Sequence, residues 1–539
     1  MQHSHEAPPS DSLEERLESW KAIARYLQRD VRTVQRWERD KHLPVRRFPG
    51  SARPRPYVVK AELDEWLRAP RREKVEPAVS TQVASIAVLP FLNLTGNKEN
   101  EYFADGLVEG IINALTRVPS LRVIARTSAF AFRNQVQDVR EIGARLGVEQ
   151  VLEGSVQRSD ARIRITVQLI DASTGGHLWG EHYDRRITDV FAIQDDIARS
   201  IIGRFHADPG ARASVARRPT NDMEAYDLYL RGRYHLSRWT PESMARARQC
   251  LESAITRDPE FALAYDSLGE LDWYGACFGL EAPRVALSRG IYAVLRALEI
   301  DPTLAESHAL LGMYRKELDY NWAEVDRELQ RALELSPSSP LVHLRYALCC
   351  PLPAGRMDET VAEVEFALQS DPLSLFVRWW MMGMCLCARR LEQAMAQARV
   401  MQEIDPTYFL SWVGMAWVDM AAGRLDSATT ALSRARELSG GAPLTIGFLS
   451  LVLGLQGSQS EARALLAQLE EASRLTYVPA TCVAWAYLGL GQVDEAFRHF
   501  DRAVDERDAF MIPIKSNPFL DPLRGDPRFH ALLRKMNLA

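Results

Sequence analysis

Apolar positions along the chain follow three rhythms, and each predicts a different kind of element. From Trp20 to Trp66, two short helical patterns, WKAIARYL and VRTVQRWE, flank a tight turn. An Arg/Pro-rich hairpin and a closing helix, ELDEWL, follow. In the second helix, Val31–Asp40, Val34 and Trp37 fall on one face. Arg32, Gln35, Arg36 and Arg39 stand at i, i+3, i+4 and i+7 on another face. That stripe holds three arginines, one glutamine and no acid, whereas an ordinary exposed helix face mixes charges.

From Ser85 to Phe205, short apolar runs alternate with stretches at helical spacing. SIAVLPF reads as a buried strand, and EYFADGLVEGIINALTRV sets Leu107, Ile111, Ile112 and Leu115 at helical spacing. LRVIART is a second strand, and DVREIGARLGV is a second helix starting at Asp138. EQVLEGSVQRS and ARIRITVQLIDAS alternate around a short turn and predict a hairpin. HLWGEHYDRR adds a strand and FAIQDDIARSIIGRF a closing helix, for an order β-α-β-α-β-β-β-α. Gly154 and Ser155 are read as a strand bend and Trp179 as a core anchor.

From Asn221 onward the chain is repetitive. Helices are expected to end at Pro259, Pro302, Pro337, Pro372 and Pro406, and from Pro302 these prolines advance by 35, 35 and 34 residues. The step from Pro259 to Pro302 is 43 residues, which places an insertion near Phe278–Pro283. The period and the small residues at helix crossings match the tetratricopeptide repeat. A late unit sets Leu488, Gly489, Gly491, Ala496, Phe500 and Ala503 where its two helices meet. About eight units are expected over residues 221–507, with an amphipathic cap over 508–539. Trp379, Trp380, Met381, Met382 and Met384 are assigned to packing between repeats. The concave face of such an array is its usual surface for an unknown protein or peptide partner.

Charge sharpens this picture. The whole chain carries −5, but Arg16–Lys60 holds 13 Lys/Arg against 4 Asp/Glu, a local +9 that leaves −14 on the rest. A basic head on an acidic body is the footprint of nucleic-acid binding. Arginine grips guanine edges and phosphate, and glutamine pairs with adenine. Gln35, Arg36 and Arg39 are therefore the base-reading candidates, with Arg32 on the same stripe. Lys21, Arg46, Arg47, Arg53 and Arg55 are placed to contact phosphate, and Thr33 to touch either.

The seven cysteines all lie in the helical half, without CxxC spacing, as expected of reduced thiols in a cytoplasmic protein. No signal-peptide core opens the chain, and no apolar run is long enough to span a bilayer, so no membrane contact is expected. Residues 1–15 read as a disordered polar tail carrying His3 and His5, and 69–84 as a linker. No P-loop, dinucleotide fingerprint, GxSxG elbow or HExxH motif occurs. His182 and Asp184 share a strand face without a third ligand in view. Neither a catalytic site nor a metal or cofactor is expected, and the chain reads as non-enzymatic.

Two stretches resemble known families. WKAIARYL, VRTVQRWE, LPVRR and YVVKAELDEWL resemble the MerR/excisionase type of helix-turn-helix, which implies a winged-helix DNA-binding module over 16–68. Where that family's turn carries Gly and an apolar residue, this chain has Gln28 and Arg29, and Asp30 is positioned to cap the second helix. IAVLPF, FADGL, VIARTSAFAF, LGVEQVLEGSV and LIDASTGGHLWGEHYDR resemble the TolB N-terminal and FlgO-like module over 85–205. That module is common in bacterial multidomain proteins between a signalling head and tetratricopeptide repeats. The expected fold class is thus multidomain: a small winged-helix head, an α/β middle module and an all-α tetratricopeptide solenoid. The function expected is cytoplasmic transcriptional regulation through duplex DNA, with a partner or signal received by the repeats. The rival is a signalling scaffold whose head docks protein. The Arg/Gln stripe separates the two, because a protein-docking face more often carries apolar anchors. No coiled-coil heptads flank the head, so a homodimer would use another surface.

Overall fold

The computed structural model describes residues 16–27, 31, 34, 38, 43–47, 56–60, 63, 84–95, 101–118, 121–133, 137–159, 162–205, 219–236, 241–277 and 279–539. The chain divides into two compact units, Met1–Gln82 and Val83–Ala539.

In the first unit, β1 (Arg16–Leu17) leads into α1 (Trp20–Tyr26). Ser19 caps α1, its Oγ accepting from the Ala22 amide at 3.1 Å. β2 (Arg46–Arg47) and β3 (Pro56–Val59) form an antiparallel pair, and β1 adds to the other side of β3. The sheet order is β1-β3-β2. Ile23, Val34, Val58 and Leu63 are fully buried in one small core, joined by Ala24, Leu27 and Leu43. Burying each large aliphatic side chain contributes about 1.5–3 kcal/mol, so a core of this size supports only a small domain.

The second unit begins with β4 (Ala84–Val88), the short β5 (Leu92–Asn93) and α2 (Glu101–Leu115). β6 (Leu121–Val123), α3 (Arg126–Phe130) and α4 (Val139–Leu146) follow. β7 (Gln150–Arg158), β8 (Arg162–Asp171) and β9 (His177–Arg186) form a meander, closed by α5 (Val190–Arg204). The main strand order is β6-β4-β7-β8-β9, with β4 parallel to both neighbours and β8 antiparallel to both of its own. Asp138 caps α4 by accepting from the Arg140 amide at 2.9 Å, and Gly147 ends it at φ +64°. β7 runs through Gly154 with unbroken pairing to β8, so the expected bend is not there. Glycine is needed for space instead: a Cβ would lie 2.5 Å from the Thr166 carbonyl oxygen and 3.1 Å from the Phe91 ring. The register shift falls between β8 and β9, at Leu169/Ile170.

Eight antiparallel helix pairs follow among the described residues. They begin with α6 (Met223–Leu236) and α7 (Pro241–Arg257), then α8 (Ala262–Cys277) and α9 (Pro283–Ile300). α10 (Ala305–Asp319) pairs with α11 (Trp322–Leu335), and α12 (Pro340–Cys349) with α13 (Met357–Ser370). α14 (Leu375–Cys387) pairs with α15 (Leu391–Ile404), and α16 (Phe409–Ala421) with α17 (Leu425–Leu438). α18 (Pro443–Leu455) with α19 (Gln459–Leu475), and α20 (Ala480–Gly489) with α21 (Val493–Glu506), complete the set. The 43-residue step arises from a longer second pair, in which α8 has 16 residues and α9 has 18. First helices of successive pairs pack on one another, α8 on α10, α10 on α12, α14 on α16 and α18 on α20. They therefore line the inside of the solenoid's curve.

The α/β module and the solenoid, which the sequence presents as separate domains, form one unit. A continuous core runs from Leu107 and Ile111 of α2 through Ile197 of α5 to Tyr226, Leu230 and Phe261. Tyr102 Oη donates to Asp227 at 2.9 Å, and Arg158 and Arg233 pair with Asp227 and Glu109 at 2.8 and 2.9 Å. Far along the array a second clasp closes. The Ala125 amide donates to the Ser370 carbonyl at 2.7 Å, and Ser128 donates to the Asp371 carboxylate from its amide (3.1 Å) and its hydroxyl (2.6 Å). The Leu373 amide in turn donates to Ser128 Oγ at 2.8 Å. Burial pushes the Asp371 carboxyl up to about 6, with the Ser128 and Ser374 hydrogen bonds opposing.

Candidate nucleic-acid interface

The head's packing follows from its apolar period. Val31 and Val34, with Glu38, lie in helix, and Val34 points into the core that α1 and β3 share. Lys21 is exposed on the first turn of α1, and Arg46 is exposed on β2. Arg47 stands opposite Pro56 in the β2–β3 pair. Arg32, Thr33, Gln35, Arg36, Arg39, Arg53 and Arg55 lie outside the described residues, as do Trp37, Gln28, Arg29 and Asp30. Two cations counted above only for their charge are placed by the sheet. The Arg16 guanidinium sits 5.5 Å from the Tyr57 ring centre, and the Lys60 ammonium 5.7 Å from that of Tyr26. The spacing of Arg16 and Tyr57 in the sequence gives no hint of this, because it depends on the β1–β3 register.

In the α/β module, His182 and Asp184 both have partners across the sheet. His182 Nδ1 is 2.9 Å from Thr166 Oγ1. Asp184 pairs with Arg162 at 2.6 Å and Arg164 at 3.1 Å, and those hydrogen bonds hold its carboxyl below the usual range. Trp179 is half-buried, its ring packed on the core edge with the Arg204 guanidinium 5.5 Å from its centre. No group of three or more His, Cys, Asp or Glu among the described residues is placed to hold a metal ion. Cys385 and Cys387 point differently, one buried and one half-buried, and burial raises their thiols to about 11 and about 12. Thiols so raised are poor nucleophiles and poor metal ligands.

The solenoid's inner face carries a run of aromatic rings from successive first helices. Trp379 of α14 lies 5.0 Å from Trp417 of α16, Trp417 lies 4.9 Å from Phe448 of α18, and Phe448 lies 5.3 Å from Trp485 of α20. Residues after α21 cross this face. Short 3-10 turns at Ala509–Met511 and Pro518–Leu523 lead to α22 (Pro527–Lys535). Phe519 brings its ring to 6.4, 5.7 and 6.3 Å from Trp417, Phe448 and Trp485. Residues 508–539 thus do more than cover the last pair. They reach back to the third and fifth pairs, where Trp322 Nε1 donates to the Met536 carbonyl at 2.9 Å and Arg389 bonds Ser516 and Asp521. On the concave face expected to receive a partner, the stretch lined by Trp417, Phe448 and Trp485 is covered here by the chain itself.

Fold and surface together define a multidomain class of protein, with a small basic sheet-and-helix head and a body in which an α/β module packs on a helical solenoid. Comparison with known proteins gives this class more definite relatives. Residues 81–199 match the family described as HilA/YgeH-like transcriptional regulator, second domain. The "Transcriptional regulator HilA" of Salmonella typhimurium is 22% identical over 301 residues, 55% of this chain and 52% of that protein. A protein of Rhizobium meliloti (strain 1021) named "Putative adenylate cyclase 3" is 46% identical over 186 residues, 34% of this chain and 32% of that protein. The chain spans about a third of the one relative and about half of the other. Among solved structures, a human IFIT1 dimer with m7Gppp-AAAA aligns with TM-score 0.38 at 14% identity, covering 58% of this chain and 77% of that one. YrrB, a TPR protein with an unusual peptide-binding site, aligns with TM-score 0.25 at 14% identity, covering 35% and 93%. Scores of that size define no fold, and the solenoid assignment rests on the helix pairs themselves.

One expectation is overturned. The lack of a catalytic motif at a familiar spacing predicts a non-enzymatic chain. Its similarity to a protein named as an adenylate cyclase withdraws that exclusion. Motif spacing detects only sites built from residues close in sequence, whereas a catalytic set can be assembled from distant ones. As for membranes, no helix among the described residues is long and apolar enough to cross one.

Proposed function

We propose that this chain is a DNA-binding transcriptional regulator whose head engages duplex DNA and whose solenoid receives a partner or signal. The observation that carries the reading is a pairing. A head with nine surplus positive charges between Arg16 and Lys60 precedes a segment, 81–199, that matches a transcriptional-regulator family. Gln35, Arg36 and Arg39, with Arg32, are proposed to read bases, and Thr33 to touch base or phosphate. Lys21, Arg46, Arg47, Arg53 and Arg55 are proposed to hold phosphates. The exposure of Lys21 and Arg46 and the burial of Val34 agree with that division of faces. The likeness of the head to MerR/excisionase modules and of the middle module to TolB and FlgO belongs to this proposal.

The test is binding of the purified full-length chain to fragments of its own genome against random duplex. Preference for particular fragments is expected, with affinity falling as salt rises by a log–log slope of about −0.9 per phosphate neutralised. If no fragment is preferred at low salt, the head docks protein and the scaffold reading replaces this one.

The 46% identity to the protein named as an adenylate cyclase supports a second reading, in which the chain takes part in forming cyclic AMP from ATP. Incubating the full-length chain with ATP and a divalent cation decides it. Cyclic AMP no higher than in a protein-free control removes this reading and leaves the first intact.

A further inference from the structure

Each of the last six helix pairs turns from its first to its second helix through one residue in the left-handed region. These residues are Tyr320, Gly355, Arg389, Gly423, Gly457 and Gly491, with φ between +50° and +87°. Four are glycine, and a Cβ at any of the four would meet nothing within 4 Å. Glycine is there for its backbone freedom alone. At Tyr320 and Arg389 the chain keeps a side chain in a conformation that L residues disfavour. Those two turns are the ones that meet the end of α21 and the returning segment. Tyr320 Oη donates to the Val504 carbonyl at 3.4 Å, the Arg507 guanidinium lies 4.5 Å from its ring centre, and Asn537 donates to its carbonyl at 3.3 Å. Arg389 donates to the Ser516 carbonyl at 2.7 Å and to both Asp521 oxygens at 2.7 and 2.9 Å.

The two anchorages differ in kind. Around Tyr320 the contacts are buried and continue into α22, where Phe529, Leu532 and Leu533 are buried. At Arg389 the ion pair is open, its side chains 46% and 45% exposed, the setting in which such pairs hold weakly and exchange with solvent. Phe519 is only half-buried over the aromatic run. Beneath it, Trp417 Nε1 is buried without an acceptor. The 3-10 turn Pro518–Leu523 thus lies on the inner groove as a peptide would, seated by the buried Leu520 and Leu523 and clipped on its outer side by the open Arg389 pair, over a donor it leaves unused.

We propose that residues 516–524 are a displaceable strap that stands in for a peptide ligand of the inner groove. The ligand class is a peptide with an aromatic residue followed two positions later by a carboxylate, the pattern of Phe519 and Asp521. Its ring enters among Trp417, Phe448 and Trp485, its carboxylate takes Arg389, and a carbonyl satisfies Trp417 Nε1. The inference rests on the reading of the solenoid as the partner-receiving part.

The experiment uses the full-length chain and a fluorescein-labelled peptide of sequence SNPFLDPLR. The wild type should bind it weakly because the strap competes. The variant F519A/D521A should bind at least about tenfold tighter, since apparent affinity scales with the fraction of open groove. Adding R389A to that variant should erase the gain. Hydrogen exchange should quicken at 516–524 while α20 and α21 keep their protection. Should the double variant lose protection throughout α20 and α21, D521N, at an exposed position, decides by a gain of about threefold. No gain in peptide affinity in either variant overturns the strap and leaves residues 516–524 a fixed part of the fold. DNA binding by the head is unmoved by that result, so the two proposals fail separately.

Discussion

The crossing of α18 and α20 offers a prediction whose size can be worked from distances. Three glycines, Gly447, Gly454 and Gly489, let these helices touch backbone to backbone. A methyl at Gly489 would lie 2.5 Å from Leu451 Cα, 2.7 Å from its carbonyl oxygen and 2.9 Å from that of Ser450. Ordinary contact begins at 3.4 Å, and no rotamer can move a backbone atom away. The substitution Gly489→Ala therefore forces the helices apart by roughly 1 Å and loosens the Phe448–Trp485 stack, now at 5.3 Å. Overpacking of this kind costs about 1–3 kcal/mol, and separation of two almost wholly buried helices puts it at the upper end or beyond. Alanine's better helix propensity returns about 1 kcal/mol. The net is a loss of about 2 kcal/mol. Two other glycines serve as internal controls. Gly383, inside α14 with nothing within 4 Å of a Cβ, should accept alanine with a gain of up to about 1 kcal/mol. Gly491, at φ +72° in open space, should lose about 1–2 kcal/mol to strain alone. Denaturant midpoints of the helical transition, with exchange protection of α18 and α20 alongside, give the ranking. A Gly489→Ala chain no less stable than Gly383→Ala would refute the account of the crossing.

Other expectations follow from single contacts. Asp371 has a folded pKa of about 6, above its value of about 3.8 in the unfolded chain, so its favourable contribution is fully present below about pH 4 and lost as pH rises through 6. Relative to D371N, the wild type should therefore lose stability between pH 4 and 7, by on the order of 3 kcal/mol, in matched melting curves. A pH-independent difference would show that this carboxyl does not titrate in the clasp. In the head, R53A and R55A should weaken binding to every duplex and flatten the salt slope, whereas R36A should cost about 1–3 kcal/mol and relax preference at one base position. Equal effects of the three substitutions across all sequences would remove base reading from Arg36. Deleting residues 508–539 should uncover Phe497, Phe500 and Trp485 and lower solubility, and a truncated chain as soluble as the parent would argue against any covering role.

Much of the body was legible because its signals are local. The proline steps of 34 and 35 residues reflect one stacking unit repeated, and the alternation in β7 and β8 is the pleat itself. What escaped is non-local. Arg389 meets Asp521 across 132 residues of sequence, and Ser128 meets Asp371 across 243. Both meetings depend on how far the solenoid curves, a sum of small rotations that no short window of sequence encodes. Gly154 suggests a bend in the sequence for a related reason, since its need for space comes from Thr166 and Phe91 on other segments of the chain. In the head, Val34 was legible as core from its spacing, but the stacking of Arg16 on Tyr57 was set by strand register. Missing familiar spacings, in turn, carry no evidence against chemistry assembled from residues distant in sequence.

The double closure of the body has a consequence for how this chain can change over generations. In an open array each unit touches only its neighbours, so losing or duplicating one leaves a single junction to heal. Here the β6–α3 region grips the end of α13, and the segment after α21 grips the turns at Tyr320, through Asn537, and at Arg389. Insert or remove one helix pair between those points and the grips no longer find their partners. The copy number of the repeat is thus counted by the fold. Length variation among descendants of this chain should collect in connections such as the one before α9, and not arrive in whole units.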